Sequence, residues 1–131
     1  MVNPRKIFAA DHGLVWACLP PAMGWGEGRA LENLVLTELQ RRRFEPAYGL
    51  TEDGHEIDFV VQNARGQREL IQVCADASDS ATRERELRPL QAARSRARRL
   101  VLTMHHEESV GDGRHVIEMM PAWKWLLIEP E

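Results

Sequence analysis

The alternation of apolar and polar positions is clearest in two neighbouring runs, Glu56-Ile57-Asp58-Phe59-Val60-Val61 and Glu69-Leu70-Ile71-Gln72-Val73-Cys74. Both are rich in residues that suit a pleated, half-buried surface, and the turn-forming Gln62-Asn63-Ala64-Arg65-Gly66-Gln67 separates them. The pattern predicts an antiparallel hairpin. Upstream, Leu31, Leu34, Val35, Glu38 and Leu39 recur at helical spacing, which predicts a helix over 29–44 closed by Arg41, Arg42 and Arg43 at the negative end of its dipole. Glu45 to Glu52 reads as an edge strand, and Asp53-Gly54 as a two-residue hairpin turn. Leu87, Leu90, Ala93 and Ala97 make the inward stripe of a second helix over 81–99. Ser78, Asp79 and Ser80 are its candidate caps, and Pro89 should kink or split it. Leu100 to Met104 and His115 to Met120 read as strands on either side of a polar loop over 105–114. A last short helix begins at Pro121.

The order helix, three strands, helix, two strands predicts an α/β fold with a mixed sheet, since hairpins are antiparallel and the second helix must be a crossover. Before it, Arg5 to Ala10 reads as a strand and Leu14 to Leu19 as a short apolar element. Ala22 to Gly28 is a glycine-rich loop that lacks the glycine-lysine ending of a phosphate-binding loop. The chain thus divides into an N-terminal strand, short apolar element and linker over 1–27 and a main body over 28–131, within one compact domain.

Composition narrows the function classes. At 131 residues and 44% apolar content the chain has material for one real core. A formal charge of −3 gives no global attraction to nucleic acid. The cations are nearly all arginine, clustered at 41–43 and between Arg83 and Arg99, with no lysine between Lys6 and Lys124. Arg41, Arg42, Arg83 and Arg94 are the candidates for contact with DNA, although Glu84 and Glu86 lie among the second cluster and a solvated helix face would explain it equally. Two cysteines, Cys18 and Cys74, support neither a disulfide framework nor a zinc site, and read as reduced thiols of a cytoplasmic protein. No run reaches the ~20 apolar residues needed to span a bilayer, and no leader peptide is evident. His105, His106 and His115 do not form a metal motif by spacing. Trp123 and Trp125, beside Leu126 and Leu127, are expected to form a lid on the core.

Chemistry concentrates on the hairpin. An acidic residue, Asp58, sits inside the first strand, and Gln72 and Cys74 share one face of the second. A hard dication such as Mg²⁺ or Mn²⁺ takes oxygen ligands from elements that meet at one point, and Glu32 on the first helix and Asp58 are two candidates. A third carboxylate on the neighbouring strand, with a lysine two residues on, would complete a nuclease site. Gln72 and Cys74 stand there instead. Gln72 keeps a carbonyl oxygen without charge, and a thiol is mismatched to Mg²⁺. Glu69 has the parity of Ile71 and Val73 and should face the other way, while Asp76 has the right parity but lies past the strand end. Only an arginine arriving from a helix would restore the positive charge, as a clamp and not as a proton-transfer group.

Several motifs in order carry a family resemblance: Gly28-Arg29-Ala30-Leu31-Glu32-Asn33-Leu34-Val35, Glu38-Leu39, the two hairpin runs, Thr82-Arg83-Glu84-Arg85-Glu86-Leu87 with Ala93, and Pro121-Ala122-Trp123-Lys124-Trp125-Leu126-Leu127. The chain resembles the domain of unknown function found C-terminal to the P-loop domain in bacterial and archaeal AAA+-type ATPases. The resemblance implies a restriction-endonuclease-like core, related to Holliday-junction resolvases, with a mixed β-sheet flanked by helices. It aligns Glu32 with the helix glutamate, Asp58 with the strand aspartate, and Gln72 and Cys74 with the acid and lysine of active members. The expected function is a non-catalytic accessory domain of an AAA+-type ATPase system, joined to the ATPase or bound to it. An active Mg²⁺- or Mn²⁺-dependent nuclease using Glu32 and Asp58, and a nucleic-acid-binding module without chemistry, are the alternatives.

Overall fold

A computed structural model describes residues 26–130. The N-terminal strand, the apolar element over 14–19 and Cys18 lie outside the described residues, as does all but the end of the glycine-rich loop.

Helix α1 spans Glu27–Arg41 and buries Leu31, Val35 and Leu39, the stripe its periodicity predicts. Its C-terminal stop is a reversal closed by backbone hydrogen bonds, Arg43 N–H to the Gln40 carbonyl and Phe44 N–H to the Leu39 carbonyl. Arg43 takes φ 62° there, the left-handed conformation that usually falls to glycine. Phe44 packs back onto the same core as Leu39.

Strands β1 (Ala47–Leu50), β2 (Glu56–Gln62) and β3 (Arg68–Val73) follow as an antiparallel meander. The β1–β2 connection is longer than the two-residue turn expected. It runs over 51–55, held by Thr51 N–H to the His55 carbonyl and His55 N–H to the Thr51 hydroxyl, with Gly54 at φ 81°. Helix α2 occupies Ser80–Ala92 and starts at Asp79, whose carboxylate accepts the Thr82 N–H at 2.8 Å. Pro89 does not split it. The helix ends one turn later, and residues 93–97 form a loop. Of the arginines expected on one helix over 81–99, only Arg83, Arg85 and Arg88 are on it: Arg94 and Arg96 lie in the loop, and Arg98 and Arg99 open β4 (Arg98–Thr103). The polar segment after β4 contributes a strand that the pattern hides, β5 (Glu108–Val110), before a short 3₁₀ turn at Gly113–His115, β6 (Ile117–Pro121) and α3 (Ala122–Leu127).

The result is α/β, with a six-stranded mixed sheet in the order β1-β2-β3-β4-β6-β5. The β3–β4 and β4–β6 pairs are parallel, and the remaining pairs are antiparallel. Strand β5 is short and polar because it is an edge strand with little to bury. Two cores sandwich the sheet. On one face Phe59, Val61, Ile71, Val73, Leu100 and Leu102 meet α1 and α3. On the other, Leu70, Cys74, Val101 and Met119 meet Leu87 and Leu90 of α2. Trp125 seals the first core at 5% exposure, as expected of a lid, but Trp123 is 59% exposed and takes no part in it.

Arg99 is buried at 2% exposure without a carboxylate. It donates to the carbonyls of Leu90, Ala93, Ser95 and Ala97 at 2.8–3.3 Å, tying the negative end of α2 and the following loop to β4. Burial lowers its pKa from the usual arginine value.

Candidate functional site

The sheet forks at Asp58. Residues Asp58 and Phe59 together oppose Tyr48 of β1, since Ala47 pairs with Val60 but Gly49 with Ile57. This bulge turns Ile57 onto the α2 face while Phe59 stays on the α1 face. Regular β2–β3 pairing stops at Phe59 opposite Ile71. Beyond that point side chains replace the ladder. The Asp58 carboxylate accepts the Val73 N–H at 2.9 Å, and the Asp58 N–H donates to Gln72 Oε1 at 3.1 Å. Gln72 is 5% exposed, and its amide NH₂ donates to Glu86 of α2 at 2.8 Å. Parity puts Gln72 on the α2 side, where a helix glutamate can satisfy it.

The structure thus brings Asp58, Gln72 and Cys74 together, as their spacing predicts, and adds Glu86, Tyr48 and Glu56, which it does not. No local signal marks Glu86. It joins through the crossover, which seats α2 over the end of β3. Glu32 is carried by α1, which covers the opposite face of the sheet from Gln72 and Cys74. Asp76 turns away to accept the Ser78 N–H at 2.9 Å.

The electrostatics are acidic. Burial, followed by the charges of Glu86 and Asp76, pushes the Cys74 thiol up to about 11, with Arg85 acting weakly against them. At neutral pH the thiol is protonated, so it is neither an activated nucleophile nor a ready metal ligand. Burial, a hydrogen bond to Glu56 and the charges of Glu56 and Asp58 push the Tyr48 phenol up to about 12. With 43% of that residue exposed, the acidic neighbours carry more of the effect than burial does. The arginine that comes from a helix is Arg85. It is 72% exposed and sits 3.4 Å from Glu86.

As arranged, these groups do not suit a hard dication. Asp58 is engaged by a backbone N–H, the Gln72 oxygen by another, and Glu86 by the Gln72 amide. Among the described residues no three His, Cys, Asp or Glu side chains converge to hold an ion. His106 instead pairs with Glu108 at 2.9 Å.

The four arginines considered for DNA contact do not share a surface. Arg42, its side chain 4% exposed, reaches Glu38 at 2.6 Å and the Trp125 carbonyl at 3.0 Å, and stacks 4.5 Å over the Trp125 ring. It pins α1 to α3. Arg41 pairs with the same Glu38, Arg83 with Glu108 and Arg94 with Glu52.

No described helix is long and apolar enough to cross a membrane. No solved structure matches the chain. An uncharacterized protein of Methanocaldococcus jannaschii, MJ1544, is 34% identical over 113 residues, which is 77% of this chain and 25% of that protein. The chain therefore spans about a quarter of the length of the curated relative it matches. Residues 27–124, which include both hairpin strands, the fork and both flanking helices, match the domain of unknown function DUF4143, and the chain belongs to that family.

Proposed function

We propose that this domain is a non-catalytic accessory module of an AAA+-type ATPase system, built on a nuclease-like core whose site has been converted to structural use. The observation that carries the reading is the Gln72 amide, hydrogen-bonded on one side to the Asp58 N–H and on the other to Glu86. A carboxylate there would face Glu86 at hydrogen-bond distance, two like charges in a partly buried site, and so would need a metal or a proton. Glutamine removes that need and closes the fork without either. The mechanism of a nuclease also needs a cation at the reacting phosphate, and position 74 offers a buried, protonated thiol.

The partner part of the reading rests on the family resemblance and on the size of the archaeal relative, three quarters of which lies outside the match. Calorimetric titration of Mn²⁺ into the wild-type chain and into Asp58→Asn tests the site, together with cleavage assays on linear and branched DNA. The expected result is no Asp58-dependent binding and no cleavage. Cleavage that Asp58→Asn abolishes would replace this reading with the nuclease. Co-purification with P-loop ATPases of the same host tests the partner, and recovery of monomer alone would sink that part.

A further inference from the structure

We draw no further inference here: the strongest candidate, the exposed apolar face that Trp123 and Leu127 make one turn apart on the short helix α3, carries nothing because nothing in the structure shows what covers it.

Discussion

Substitutions at Asp58 separate a carboxylate kept for the fold from one kept for a metal. The Val73 N–H it accepts belongs to a residue only 7% exposed, and past the fork no strand backbone replaces the bond. Asp58→Ala leaves that donor unsatisfied, a loss of about 2–3 kcal/mol. Asp58→Asn keeps an acceptor oxygen at the same place and loses only the charge-assisted part of the bond, about 1 kcal/mol. With a denaturant slope of about 2 kcal/mol/M, urea unfolding followed by circular dichroism should place Asp58→Ala more than about 1 M below wild type in midpoint, and Asp58→Asn between the two. A carboxylate held against Glu56 and Glu86 for a metal gives the opposite order without metal: Asp58→Asn would be at least as stable as wild type because repulsion is relieved. Equal stability of Asp58→Asn and wild type in metal-free buffer, or of Asp58→Ala and wild type, would refute the structural account of the fork.

Other substitutions read other parts of the molecule. Hydrogen bonding to Arg41, opposed by burial and reinforced by Arg42, holds the Glu38 carboxyl at about 2 instead of 4.5, so it contributes stability above about pH 4.5 that is lost as pH falls toward 2. The shift alone corresponds to roughly 3 kcal/mol, but Arg41 is 68% exposed and screened, so Glu38→Gln should cost about 2 kcal/mol at neutral pH and flatten the acid limb of a midpoint-versus-pH series. Arg99→Leu strands four carbonyls and should cost about 3 kcal/mol, with faster hydrogen exchange in the last turn of α2. Arg99→Lys should not rescue it, since one ammonium cannot span the four. Arg43→Gly removes a left-handed side chain and should raise stability by about 0.5 kcal/mol in the same urea assay. Gln72→Glu sets a carboxylate against Glu86 and should lower the melting temperature at neutral pH through like-charge repulsion. A variant as stable at neutral pH as wild type would mean that Glu86 does not face position 72.

Local pattern by itself determined the elements whose burial is one-sided. The helical stripe of Leu31, Val35 and Leu39, the period of two in the hairpin, and the parity that sends Gln72 and Cys74 to one face and Ile71 and Val73 to the other all follow from the geometry of a helix or a strand. A short acceptor before a helical run is what an N-terminus needs, which makes Ser78, Asp79 and Ser80 candidate caps, and Asp79 is the one that accepts the Thr82 N–H. Elements with little to bury stayed hidden. Strand β5 is polar, and the end of α2 has no stop signal beyond Pro89, so its arginines read as one helix face. What only the tertiary structure decided are the contacts made across elements. The bulge opposite Tyr48 splits the sheet, the crossover brings Glu86 to Gln72 from 14 residues away, and Arg42 reaches Trp125 from 83. No periodicity encodes such contacts, because each depends on which surfaces the packed layers bring face to face.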